Sequence, residues 1–211
     1  MAQQLHSFRK SLSLLLVLMM LLSVMPIGGV LAAGSSDPAY LIFTSDTHNV
    51  PTGQTYGNGS SDRMKEWLKT VSSELGNVTF DTMGFCGDMG SAINGSANYW
   101  KAVREVMNVA DNSPVVADTV YTYGNHDVFD PGNGHTPSSD YSYCTAKMQQ
   151  IGLAKSTDDY VIYCFGAGST YGAFIDSDIQ KLADFMKTAD PEKPVFILSH
   201  YPLHFYNSTT G

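Results

Sequence analysis

Apolar and polar positions along this chain follow two rhythms. Short runs rich in branched and aromatic residues, at 40–44, 79–86, 115–123, 160–165, 171–175 and 195–198, have the length and composition of buried strands. Between them, apolar residues recur at helical spacing: Met64, Trp67, Leu68, Val71 and Leu75; then Tyr99, Val103 and Met107 within 97–110; then Ile179, Leu182, Phe185 and Met186. Ser61 or Asp62 can cap the first of these helices, and Asp178 suits the first turn of the last. Residues 141–151 read as a further short helix, and Trp100 and Met107 read as core. The alternation of strand and helix predicts an α/β fold with helices outside the sheet.

Four of the predicted strands end on side chains that stability alone does not call for. Residues 40–44 run into Ser45-Asp46-Thr47-His48, and 79–86 into Gly87-Asp88-Met89-Gly90. Residues 115–123 run into Gly124-Asn125-His126-Asp127, and 195–198 into Ser199-His200. Asp46 and His48, two apart on an extended segment, are expected to face one side. An amide, an imidazole and a carboxylate in succession need partners, and Gly124 allows the sharp turn that would send neighbouring side chains into one cavity. Any one of these clusters also fits an ordinary turn. Ligands brought in by separate strand ends, however, converge at one edge of a sheet. His200 and His204 are four residues apart, but Pro202 between them excludes a helical pair, so His200 is the expected ligand and His204 a rim or core residue. His135, in the Pro/Gly/Ser-rich stretch 130–139, is expected at the surface.

Composition narrows the partners. The chain has 211 residues, 43% hydrophobic and 15% charged, which suits one domain with a real core. Its net charge of −8, with no dense Lys/Arg run after residue 10, argues against general nucleic-acid binding. An anionic small molecule would need positive charge supplied locally by a metal. At the amino terminus His6, Arg9 and Lys10 precede an uncharged run over 11–25, followed by Pro26-Ile27-Gly28-Gly29 and Val30-Leu31-Ala32. That order predicts a secretory signal peptide over 1–32, a linker over 33–39 and one domain over 40–211, with an uncleaved anchor as the competing reading. The expected location is therefore outside the cell or on its surface. Export permits a disulfide, and Cys144 with Cys164 is the pair whose flanking segments could meet; Cys86 would remain a buried small hydrophobe.

The ordered set Asp-x-His, Gly-Asp, Gly-Asn-His-Asp and a His after an apolar strand resembles the calcineurin-like metallophosphoesterase family over residues 40–204. The resemblance implies two packed mixed β-sheets flanked by helices, an αββα sandwich. It implies two divalent metal ions, with manganese, zinc or iron all compatible with mixed N/O ligands. Asp46 and His48 would hold one, Asn125 and His200 the other, and Asp88 would bridge them. His126 matches the family's catalytic histidine, and Asp127 would orient it. The implied reaction is hydrolysis of a phosphate ester by a metal-bridging hydroxide, with two ions, two carboxylates and the hydroxide leaving a net positive pocket. Ser91 stands three residues after Asp88, where the purple acid phosphatases carry a tyrosine ligand, so tyrosinate-bound iron is not expected. The family's closing Gly-His-x-His does not occur in this sequence, because Gly134-His135 is followed by Thr136-Pro137 and comes too early. The expectation is an amino-terminal part of such an enzyme that binds metals weakly; tight binding of two ions by the 211-residue chain would contradict it. A binding module that keeps the fold with an incomplete site is the alternative.

Overall fold

The structure is a computed structural model and describes residues 37–50, 60–90, 99–128, 138–168 and 174–201. Its first half is a run of strand and helix units. Strand β1 (Leu41–Thr44) leads to helix α1 (Ser60–Glu74), β2 (Thr82–Cys86), α2 (Tyr99–Asp111) and β3 (Thr119–Thr122). A single helical turn, α3 (Asn125–Val128), follows β3, then α4 (Ser139–Thr145) and the two-residue strand β4 (Met148–Gln149). The second half contributes β5 (Ile151–Ser156), β6 (Val161–Phe165), helix α5 (Asp176–Thr188) and β7 (Val195–Leu198).

These strands form two sheets, in the orders β1-β2-β3-β4 and β5-β6-β7. Every described pairing in the first sheet is parallel, while the second is mixed, with β5-β6 antiparallel and β6-β7 parallel. Parallel pairing demands crossovers, and α1 and α2 supply them. Their apolar stripes share one core with the first sheet: Met64 and Leu68 from α1, Tyr99, Trp100, Val103, Val106, Met107 and Ala110 from α2, and Met83, Phe85 and Tyr121 from the strands. A smaller cluster of Val120, Tyr160, Ile162, Cys164 and Leu198, with Leu41 and Phe196 against it, lies between the sheets. The contact there is close enough that a Cβ on Gly84 would stand 2.7 Å from Leu198 Cδ2. On the far side of the second sheet the Phe185 ring of α5 stacks on Tyr163 at 4.4 Å. The result is the expected α/β arrangement of two sheets flanked by helices.

Several expectations change. The helix over 141–151 runs instead from Ser139 to Thr145, capped by Ser138, whose side chain accepts from Tyr141 N. Met148 and Gln149 then pair with Tyr121 and Thr122, and residues from Ile151 form a hairpin with β6. Long-range pairing overrides a locally helical pattern here, and Gly152, at φ +142°, marks the change. In α1 and α5 the stripes are wider than the core needs, since Trp67, Ile179 and Met186 are exposed, as is Leu75 just past the end of α1. All three cysteines are free, so the Cys144–Cys164 disulfide is not formed. Cys144 belongs to the helix-side core and Cys164 to the cluster between the sheets, which puts the first sheet between them. Cys86 is only half buried, at the edge of the inter-sheet cluster. The signal segment, the linker up to residue 36, His135, His204 and residues 171–173 of the expected strand 171–175 lie outside the described residues; Phe174 and Ile175 are not in a strand. No helix among the described residues is long and apolar enough to cross a membrane.

One polar network ties α2 to the sheet. The Asp111 carboxylate accepts from Tyr121 Oη and Thr119 Oγ1, each at 2.7 Å, and pairs with Lys147. Burial works to raise the Asp111 carboxyl, but the hydrogen bonds from Lys147, Tyr121 and Thr119 hold it below its ordinary value. A carboxyl depressed in the folded state stabilises above its unfolded pKa, and that stability is lost as pH falls through the folded value. Asp111→Asn is therefore expected to cost about 1–3 kcal/mol at pH 7. In thermal melts, the gap from wild type should close as pH falls below about 4.

Candidate metal centre

Beyond Thr44 the chain does not leave the sheet; it follows the loop after β2. Asp46 N donates to Gly87 O at 3.1 Å, His48 N to Asp88 O at 3.1 Å and Asn49 N to Met89 O at 2.8 Å. Extended parallel pairing would draw on alternate carbonyls; here three successive ones, of Gly87, Asp88 and Met89, accept, and Asp46, His48 and Asp88 take φ of 53°, 41° and 50°. Among the described residues only one other non-glycine residue has a positive φ, Asn77, next to Gly76 past the end of α1. The expected extended placement of Asp46 and His48 is thus replaced by a left-handed one. Such backbone costs about 1–3 kcal/mol per residue and persists only where its surroundings impose it, which is characteristic of ligand sites.

The loop after β3 presses on the same place. Gly87, at φ +89°, leaves no room for a Cβ, which would stand 2.3 Å from Gly124 N. A Cβ on Gly124 would stand 2.0 Å from Asp88 Oδ1. Gly124 has no positive φ, so it supplies room for Asp88 rather than an unusual bend. Gly87→Ala combines a left-handed φ with a backbone clash and is expected to destabilise by about 2–6 kcal/mol, measured by urea unfolding.

These constraints gather the expected ligands around one carboxylate oxygen. Asp88 Oδ2 lies 3.3 Å from His200 Nε2, 3.9 Å from His126 Nε2 and 4.0 Å from His48 Nε2. Asp46 Oδ1 is 3.6 Å from His48 Nε2, and Asn125 Oδ1 is 2.9 Å from His200 Nε2. Ligand atoms of Asp46, Asp88 and His200 all fall within 4.8 Å of one another. Asp88 is buried, whereas His48 and His126 keep 43% and 36% of their side chains exposed, so the cluster opens to solvent on their side. Burial would raise the Asp88 carboxyl, but the His200 hydrogen bond and charge and the His126 N–H bring it below its ordinary value. Burial would lower His200, but Asp88 and the Cys86 carbonyl hold it above its own.

The donor set fits a divalent cation. For bonds of about 2.1 Å, neighbouring ligand atoms stand about 3.0–3.4 Å apart, close to the 2.9–3.6 Å separations from Asp46 to His48, Asp88 to His200 and Asn125 to His200. His200 Nδ1 lies 2.9 Å from Cys86 O, and a carbonyl can only accept. That contact places a proton on Nδ1 and directs Nε2 at the cluster, the usual support for a metal-binding histidine.

Asp127 has a different task from the one expected. It is buried; its Oδ2 accepts from Gly124 N at 2.6 Å and Asp88 N at 2.9 Å, and its Oδ1 accepts from Tyr99 Oη. Its oxygens thus hold backbone and Tyr99 rather than the His126 ring. Burial pushes its carboxyl up to about 6, against the pull of Tyr99 and the backbone donors. Two further residues carried no chemical signal in the sequence. Tyr99 reads as core from its spacing. Asn49, directly after the expected ligand His48, is fully buried, bonding Ala102 O, Glu105 and Ser61 N, and so anchors that end of the loop.

No family model matches the chain, and no curated protein matches it. Among solved structures, a dimetal phosphatase from Danio rerio is similar, at 15% identity and a TM-score of 0.46, over 80% of this chain and 71% of that one. At that distance no residue role is transferred from it.

Proposed function

We propose that this protein is an exported, metal-dependent phosphoesterase acting on a small phosphate ester. The observation that carries the reading is the convergence of Asp46, His48, Asn125, His126 and His200, from three separate strand ends, around the carboxylate of Asp88, which comes from a fourth. In this reading Asp46 and His48 would hold one divalent ion, Asn125 and His200 a second, and Asp88 would serve both. Such ions supply positive charge for a phosphate and lower the pKa of water for attack on phosphorus.

The chain's own residues then divide the remaining work. Neutral Asn125 binds without adding a carboxylate that would repel an anionic substrate. His126, on the open side of Asp88 with its Nε2 directed inward, is placed to touch the phosphate and to give a proton to the leaving oxygen. The left-handed backbone at Asp46, His48 and Asp88 sets the ligands before substrate arrives. Export rests on the basic, apolar, small-residue order of residues 1–32.

The test uses the full chain, stripped with a chelator and restored with millimolar Mn²⁺, assayed on p-nitrophenyl phosphate and bis(p-nitrophenyl) phosphate. The expected result is turnover that returns only with metal, with His126→Ala lowering kcat by about 100-fold or more. Turnover indifferent to chelator would overturn the reading.

A further inference from the structure

Tyr99 is the first residue of α2 and is fully buried, yet its hydroxyl does not simply fill space. It donates to Asp127 Oδ1, while the other oxygen of the same carboxylate holds the backbone N–H groups of Gly124 and Asp88. Asp88 Oδ1 in turn accepts from His126 N at 3.0 Å, so each loop's carboxylate grips the other loop's backbone. The Tyr99 ring also presses on the loop after β2, because a Cβ on Gly90 would stand 2.8 Å from Tyr99 Cε2. Gly90 is thereby explained: it admits the ring against the backbone two residues beyond Asp88.

We propose that Tyr99 is a positioning residue for the metal centre, setting Asp88 and His126 through Asp127 and through ring contact at Gly90. This rests on the metal-dependent reading above. Neither contact touches an expected ligand side chain. The hydroxyl acts on the carboxylate that joins the two loops, and the ring acts on the backbone that carries Asp88. Displacing either alters the separation of Asp88 Oδ2 from the histidines without removing a ligand.

Mn²⁺ affinity of the metal-stripped full chain, read from the free-Mn²⁺ paramagnetic resonance signal, tests this with three variants. Tyr99→Phe keeps the ring and removes the hydroxyl. Gly90→Ala keeps every hydrogen-bonding group and displaces the ring, together with Val103 Cγ2, which its Cβ would meet at 2.9 Å. Leu68→Ala, a core truncation in α1, serves as a control for lost stability. Loss of an outer partner of a metal site weakens binding by about 10–100-fold, and that range is expected for Tyr99→Phe and Gly90→Ala, with Leu68→Ala near wild type. The proposal is overturned if Tyr99→Phe and Gly90→Ala both bind as wild type does. It is also overturned if Leu68→Ala loses as much affinity at an equal fall in Tm, since Tyr99 would then be packing alone. Should Tyr99→Phe fail to fold, Gly90→Ala against Leu68→Ala decides the same question. Absence of saturable Mn²⁺ binding by the wild-type chain would instead remove the metal-dependent reading, and this inference with it.

Discussion

Asp88→Asn is expected to abolish Mn²⁺-dependent turnover while leaving the chain folded. Its Oδ2 is the point that His48, His126 and His200 face at 3.3–4.0 Å. An amide there removes a negative charge and directs donors or a weaker acceptor at three imidazoles. Losing an outer partner costs about 10–100-fold, so losing the carboxylate proposed as the central ligand should cost at least about 100-fold in turnover and in metal affinity. Asn is the right probe because, among residues with side chains, it tolerates the left-handed backbone that Asp88 adopts at φ 50°. It also retains a carbonyl oxygen for the His126 N–H. A thermal melt beside the assay separates loss of the site from loss of the fold. Wild-type turnover in this variant would remove Asp88 from the centre of the mechanism.

Asp127→Ala is expected to act on stability before chemistry. Three donors lose their acceptor together: Gly124 N, Asp88 N and Tyr99 Oη. A buried donor left without a partner costs about 1–3 kcal/mol, so the three together should cost about 3–6 kcal/mol even after some water enters. The carboxylate itself is not the source of that stability, since burial raises its pKa to about 6. What it provides is an acceptor common to two loops that have no side chains at their contact, Gly87 against Gly124. Urea unfolding in excess chelator measures this without any contribution from bound metal. A loss below about 1 kcal/mol would show that the loops hold together by other means.

Much of this architecture was legible because its signals are local. Strand runs at 82–86 and 161–165 and the helical stripe of α2 are buried nearly throughout, so their composition reports their position directly. The candidate site was legible for a related reason: parallel strands deliver their ends to one edge, and polar residues at such ends are conspicuous after apolar runs. What was hidden depends on contacts between distant segments. Residues 148–156 become strands only through pairing with β3 and β6. The left-handed turns at Asp46 and His48 come from hydrogen bonds to the loop after β2, which no nearby residue announces. Gly124 suggested a bend, whereas its missing Cβ makes room for Asp88. Asp127 suggested a partner for His126 because the two are adjacent. In a helical turn, however, adjacent side chains diverge, and its oxygens reach Tyr99 and two backbone amides instead.

The most direct measurement is anomalous diffraction from crystals of the full chain soaked in Mn²⁺. The predicted result is anomalous density bounded by Asp46, His48, Asp88, Asn125 and His200, within about 2.0–2.5 Å of Asp88 Oδ2 and His200 Nε2. Density confined to exposed carboxylates such as Asp184, with none beside Asp88, would contradict the assignment of a metal centre.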